Sequence, residues 1–326
     1  VALPVEEKDK IQNHETDMMI KAAELYYISG LTQGEIAKIL GVSRQKTFRL
    51  IKKAREMGLV EVRIRRPSEM HEELSFELQK KFSLEGAVVA KAYSSTLDSI
   101  IKAVAQSGAD YFREQLQPYA TIGVAYGRTL HEVIQYFPKI DVPGVRVVQM
   151  MGAYGGIRWQ TLAIELIKAL TDKLGGEAVY LFAPAFAESS DIRDAFLRER
   201  SIQETLRIAE NVDIALVGIG GIQREASLLI ETGDLKKEEI EELARAGAVG
   251  GICGNFFNEE GEVIIANLNS RRIAVRLGEL RKNSKKIIGI AGGEEKKKAI
   301  LGALRGHWIT HLVTDENTAR WLLEYR

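Results

Sequence analysis

Gly127, Arg128 and Thr129 stand together in TIGVAYGRTLHEVI, after an apolar run and before an amphipathic one. A strand that ends on glycine and restarts as a helix points unpaired backbone N–H groups at the space beyond it, so the chemistry implied is anion binding. Thr129 and Glu132 have the spacing of a capping box that would open the helix. The same residues equally suit an ordinary strand-to-helix turn with Arg128 in solvent. In a second segment, IAGGEEKKKAI, Gly292 and Gly293 precede a helix that carries Lys296 in its first turn. A lysine so placed can hold a phosphate as a point charge, although taken alone it reads more simply as one solvated lysine among several.

Other constellations offer less. VGIGGIQ at 217–223 places Gln223 where a dinucleotide fingerprint has its last glycine, so no nicotinamide or flavin cofactor is expected. MGAYGG at 151–156 is another glycine-rich strand end that could wall the same crevice. His307 and His311 are four apart, but Gly306, Trp308, Ile309 and Thr310 make a poor helix, and no further His or Cys cluster suggests a metal. No Gly-x-Ser-x-Gly elbow occurs, and His131 reads as a surface helix histidine rather than a general base.

A different chemistry is written into LTQGEIAKILGVSRQKTFRLIKKAREMGLVEVRIRR at 31–66. Thr32 and Glu35 form a capping box, Ile36, Ile39 and Leu40 give the first helix an apolar face, and Gly41 ends it. Ser43 caps a second helix, in which Thr47, Leu50, Ile51 and Ala54 recur at spacings of three and four. Arg44, Gln45, Lys46 and Arg49 are left on the opposite face, where they would meet a major groove. Val60, Val62 and Ile64 alternate with Glu61, Arg63 and Arg65, as in a wing against a phosphate backbone. The pattern is a winged helix-turn-helix, with Lys52, Lys53 and Arg65 as further phosphate contacts. The formal net charge of the whole chain is +0, so only the local concentration of bases points to double-stranded DNA.

These segments need a scaffold. At 326 residues and 45 % hydrophobic content, the chain has room for a second core beyond a winged helix. The single cysteine, Cys253, excludes an internal disulfide and suits a reducing compartment. No apolar run reaches the ~20 residues needed to cross a bilayer, and VALPVEEKDK lacks the order of a secretory signal, so a cytoplasmic protein is expected. Residues 1–13 read as a polar arm. A supporting helix is expected from about Asp17 to Ser29, offering Ile20, Ala23, Leu25, Tyr27 and Ile28 to the reading helix. Met70, Leu74, Leu78 and Phe82 predict a connecting helix over 69–82 that could pack on a partner subunit. Apolar runs at 87–91, 120–126, 145–151, 178–184, 213–220 and 286–293 then alternate with amphipathic patterns, which predicts a doubly wound α/β domain. The expected organisation is a DNA-binding domain at 14–66, a linker helix at 67–85 and an effector domain at 86–326.

Taken together, these residues resemble the SorC-type sugar-binding transcriptional regulators. GVSRQKTFRLIKKAREMGLV is similar to the family's recognition helix, VAYGRTL to its first phosphate loop, and VDIALVGIG with GAVGGICGNFFNEEG to its central section. IIGIAGGEEKKKAILGALRGHWITHLVTDENTARWLL resembles its C-terminal signature. The resemblance implies an effector fold akin to phosphosugar isomerases and deaminases, a homodimer or homotetramer, and operator binding controlled by a phosphorylated sugar. It also implies that Gly127, Arg128, Thr129 and Lys296 lie near the effector phosphate, with Gly152 in the crevice wall. One departure stands out. Where the family commonly has Gly-Asp-Ile-Cys-Gly, this chain has Gly250, Gly251, Ile252, Cys253 and Gly254, leaving Asn255 or Asn258 as partial substitutes for the carboxylate.

The expected protein is a regulator without catalysis of its own. Two alternatives stay open at this level: a phosphosugar isomerase or deaminase fused to a DNA-binding domain, which would need a paired acid and base, and a ligand-free oligomerisation scaffold.

Overall fold

The computed structural model describes the backbone of residues 5–60, 70–155, 157–265 and 267–325. The chain divides into two compact units, Val1–Arg66 and Pro67–Arg326.

Among the described residues the first unit has three helices: α1 (Val5–Tyr27), α2 (Gln33–Leu40) and α3 (Arg44–Glu56). The expected polar arm is therefore largely helical, because nothing in residues 5–16 breaks the helix that the apolar face of α1 begins. At the start of α2 the Thr32 N–H donates to Glu35 Oε2 at 2.8 Å, and Glu35 N–H donates back to Thr32 Oγ1 at 3.4 Å. Gly41 ends the helix in the left-handed region, at φ 64°, where a residue without Cβ is least strained. Ser43 caps α3 by accepting from Lys46 N–H at 3.2 Å. The core of the unit is Met19, Ala22, Ala23, Ile36, Leu50, Ile51 and Ala54. Ala23 and Leu25 pack as expected, but Ile20, Tyr27 and Ile28 are exposed, because the buried stripe of α1 runs through Met19, Ala22 and Ala23, and Ile39 is exposed because α2 buries Ile36 and Ala37 instead. Val60, the first residue of the expected wing, packs on this core, and the rest of that wing, with Arg65, lies outside the described residues.

The second unit opens with α4 (Glu72–Phe82), whose Leu74 and Leu78 join the main core. Helix and strand then alternate: β1 (Gly86–Ala90), α5 (Leu97–Gln115), β2 (Thr121–Val124), α6 (Arg128–Tyr136), β3 (Arg146–Gln149), α7 (Ile157–Leu174) and β4 (Glu177–Val179). Next come α8 (Ser190–Arg198), α9 (Arg200–Ala209) and β5 (Ile214–Gly218). A small antiparallel sheet follows, made of β6 (Gly220–Gly221), β7 (Gly250–Ile252) and β8 (Asn255–Phe257), with α10 (Ile222–Glu231) and α11 (Lys237–Arg245) between β6 and β7. The chain ends with α12 (Leu277–Asn283), β9 (Lys286–Ile290), α13 (Lys297–Arg305), β10 (His311–Asp315) and α14 (Glu316–Glu324).

The main sheet has seven parallel strands in the order β1-β10-β9-β5-β2-β3-β4. From β2 the chain winds outward through β3 and β4, then returns to β5 and winds the other way through β9 and β10. The reversal lies between the neighbouring strands β2 and β5. At such a switch point the loops after the two strands diverge to opposite faces and leave a crevice at their carboxyl ends. The predicted α/β architecture is thus present, with β6–β8 and β10 added. His311 belongs to β10 and is buried against Thr310, whose Oγ1 lies 2.7 Å from its Nδ1. Burial pushes the imidazole pKa down. α4 packs on β1 and α14 within its own unit. Lys81 Nζ donates to Leu322 O, Leu323 O and Tyr325 O at 3.0, 2.7 and 2.9 Å, which caps the carboxyl end of α14.

Candidate functional site

In the first unit α3 turns Thr47, Leu50, Ile51 and Ala54 inward and exposes Arg44, Gln45, Lys46, Arg49, Lys52 and Lys53. Ser43 at its N-terminus is also exposed. Lys52 reaches Glu56 at 3.6 Å in an exposed i,i+4 pair, which is too weak to withhold the lysine from a phosphate. Phe48 is 52 % exposed on the same helix, one turn beyond Arg44. Its spacing of four from Arg44 is the signal in the sequence that places it on the same face. An exposed aromatic ring on a groove-facing helix can contact a thymine methyl group.

In the second unit the crevice is built on the register of the sheet. Val124, Leu216 and Ile288 lie side by side, so β2 finishes two residues short of the paired ends of β5 and β9. Gly127 is the extended N-cap of α6 and provides no side-chain cap, so Thr129 and Glu132 do not form the expected capping box. The helix begins two residues earlier than that reading required, and Thr129 is buried in its first turn. A Cβ at Gly127 would meet nothing within 4 Å, so the loop faces open space.

Across the crevice the loop after β9 bends sharply. Gly293 has φ 99°, and its N–H donates to Asp315 Oδ2 at 2.7 Å. Asp315 is 2 % exposed and also accepts from Thr318 Oγ1 at 2.6 Å and Thr318 N–H at 3.1 Å. A Cβ at Gly292 would lie 2.6 Å from the same carboxylate oxygen, so that position excludes a side chain. Thus fixed, the loop runs through a short 3-10 turn, Glu294–Lys296, into α13. Lys296 Nζ ends 3.5 Å from Thr129 Oγ1. The two loops meet although β5 lies between their strands. An ammonium, a hydroxyl and the uncapped start of α6 converge there, which is an arrangement able to hold a dianion.

Gly152 is placed differently from an open wall residue. Its N–H donates to Ile273 O at 3.0 Å, and a Cβ would lie 2.2 Å from Pro184 O. It permits close approach of three backbones behind the crevice. Beside it, Tyr154 packs edge-on against Tyr126 at 6.0 Å. Gly251 sits in the middle strand of the small sheet, opposite Gly220 and Phe256. Neither asparagine replaces the missing carboxylate: Asn255 is 2 % exposed and donates to Ile252 O, Cys253 O and Val275 O, and Asn258 closes a turn with Glu262. His131 is half-exposed on α6, with its Nδ1 3.9 Å from Glu132 Oε1. No group of three or more potential metal ligands occurs among the described residues, and no described helix is long and apolar enough to cross a membrane.

Comparison with known proteins places both units. The sugar-binding domain family matches residues 66–324, and a helix-turn-helix family of the MarR type matches residues 23–71. The deoxyribonucleoside regulator of Bacillus subtilis is 32 % identical over 306 residues, covering 94 % of this chain and 97 % of its own. The sorbitol operon regulator of Klebsiella pneumoniae is 30 % identical over 313 residues, covering 94 % and 98 %. The crystal structure of the full-length sorbitol operon regulator SorC from the same organism superposes with a TM-score of 0.71 at 29 % identity, covering 95 % of this chain and all of that one. Matches that run through both the helix-turn-helix and the α/β unit show that the chain belongs to the SorC family of sugar-binding, DNA-binding transcriptional regulators.

Proposed function

We propose that this regulator reads operator DNA with α3 and senses a phosphorylated sugar in the crevice between β2 and β5, with the phosphate held by Gly127, Arg128, Thr129 and Lys296. The observation that carries the reading is the approach of Lys296 Nζ to Thr129 Oγ1 across the switch point. It supplies a full positive charge and a hydroxyl donor beside a helix start, the combination a phosphate dianion requires. A cytoplasmic homodimer or homotetramer fits this role, since one helix spans too few base pairs for tight binding and paired half-sites multiply affinity.

A catalytic reading would need an acid and a base facing one another across the same space. The residues that meet there are a lysine, a threonine and backbone groups, and Asp315, the buried carboxylate next to them, is committed to Gly293 and Thr318. Binding without turnover therefore fits better. The deoxyribonucleoside and sorbitol operon regulators are named for different small molecules, so the effector must be found from this crevice. Operator fragments selected from random sequence, followed by titration of the complex with a panel of phosphosugars and their unphosphorylated counterparts, test the proposal. Release or tightening by phosphorylated members alone is expected; an equal response to both series would overturn the phosphate site.

A further inference from the structure

Two consecutive arginines follow the 3-10 turn Asn267–Ser270, and they are treated very differently. Arg271 is saturated. Its Nη2 donates to Glu239 Oε1 and Oε2 at 2.7 and 2.8 Å and to Asp234 O at 3.1 Å, its Nε to Glu239 Oε1 at 3.1 Å, and its Nη1 to Ala187 O at 2.6 Å. Arg272 makes one hydrogen bond, from Nη1 to Asn269 Oδ1 at 3.1 Å. Its Nε is buried without an acceptor, and no carboxylate among the described residues pairs with it. Burial brings the Arg272 guanidinium down to about 10, against an opposing pull from the Cys253 sulfur, and Arg193, in the first turn of α8, adds repulsion. Arg193 Nε is itself buried without a hydrogen bond, its ion pair being with the adjacent Asp194 at 3.0 Å.

The place of this pair in the fold relates it to the crevice. Arg272 bridges to Phe186, Ala274 bridges to Met151, and Gly152 N–H donates to Ile273 O, so the segment runs along the loop after β3. On its other side is the tip of the β7–β8 hairpin, where a Cβ on Gly254 would lie 3.3 Å from Arg272 Cδ and 3.1 Å from Phe186 Cζ. The third strand of that hairpin sheet, β6, follows β5 and comes so close to the Lys296 loop that a Cβ on Gly221 would lie 2.5 Å from Glu295 O. The small sheet thus links the Lys296 end to the Arg272 end. A buried guanidinium left without a counterion is costly, and such sites cluster where a ligand supplies the missing charge. With Nη1 occupied, the vacant edge is formed by Nε and Nη2. That edge is the side-on fork that matches the two oxygens of a planar carboxylate.

We propose that Arg272, assisted by Arg193, receives a carboxylate at the end of the effector remote from its phosphate, so that the effector is a phosphorylated sugar acid. This inference rests on the phosphate reading above. Calorimetry on the full chain with 6-phosphogluconate, glucose 6-phosphate, fructose 1,6-bisphosphate and gluconate tests it. The phosphorylated acid should bind at least about tenfold tighter than the aldose phosphate, as a charge-assisted bidentate pair allows. Arg272→Gln should reduce that ratio to about twofold or less, and Arg193→Gln should reduce it in part. Melting of the ligand-free Arg272→Gln protein should occur at the parent's temperature or above, because an uncompensated charge has been removed; a guanidinium serving only to hold the loops would lower it. Equal binding of acid and aldose phosphate in the parent, or a ratio that survives both substitutions, overturns the carboxylate site while leaving the phosphate site standing. Tighter binding of the bisphosphate overturns the choice of carboxylate. If none of the phosphorylated compounds binds, both readings fall together.

Discussion

Lys296 and Thr129 come from segments 167 residues apart and end 3.5 Å from one another. The lysine is half-buried and directed across the crevice, so its charge is less screened than that of the neighbouring exposed Lys298. Lys296→Ala should therefore weaken every phosphosugar by roughly 10- to 100-fold, the equivalent of about 1.5–3 kcal/mol for a hydrogen bond to a charged group, without changing their ranking. Calorimetry on a ranked panel reads both quantities, and a variant that binds like the parent would remove the phosphate from this end of the crevice. The residues were legible and their geometry was not. GRT and GGEEK announce anion-binding loops, but the register of α6 differs by two residues from the one that the Thr129–Glu132 spacing suggests, and a capping pattern alone does not choose between such registers. Asp315 escaped notice because its tie to Gly293 N–H depends on β10 lying beside β9, which no local pattern encodes.

Among the elements, those with a strong period were plain in the sequence. α2 and α3 have their caps and left-handed glycine where the spacing puts them, α3 buries the expected stripe while α2 buries Ile36 and Ala37 and leaves Ile39 exposed, and the Val- and Ile-rich runs became parallel strands. β10 was missed because HLVTD holds only two aliphatic residues among His, Thr and Asp, and β6–β8 because glycine fills half their length. For α3, the division of labour is testable. A folded Arg44→Ala, Arg49→Ala double variant should lose roughly 1–3 kcal/mol per base-reading residue and relax its sequence preference. Lys53→Ala should weaken all sequences alike and flatten the logarithmic salt slope by about 0.9. Binding isotherms at several salt concentrations separate the two, and unchanged operator preference in the double variant would refute the assignment. α4 yields a second test. Leu78 is fully buried in the core of the second unit, so Leu78→Ala should cost about 2–5 kcal/mol in chemical unfolding of that unit. A loss below about 1 kcal/mol would mean that the helix behaves as a linker.

At the scale of the whole molecule the two units have separate cores, and regulation requires that they share one free-energy account. If the effector changes operator affinity by some factor, the operator must change effector affinity by the same factor, because the two routes to the ternary complex begin and end at the same states. Couplings of this kind usually amount to about 5- to 150-fold. The expected result is that effector affinity measured on the free regulator and on the operator complex differs by the same factor as operator affinity measured without and with saturating effector. The direction of the change separates release from tightening, and Lys296→Ala should shift the effector titration without altering the coupling factor once the crevice is saturated. Operator binding that is indifferent to a phosphosugar shown by calorimetry to occupy the crevice would leave the second unit as a scaffold. Unequal factors in the two directions would show instead that assembly state changes with one of the ligands, and light scattering of the four species would then locate the step at which it does.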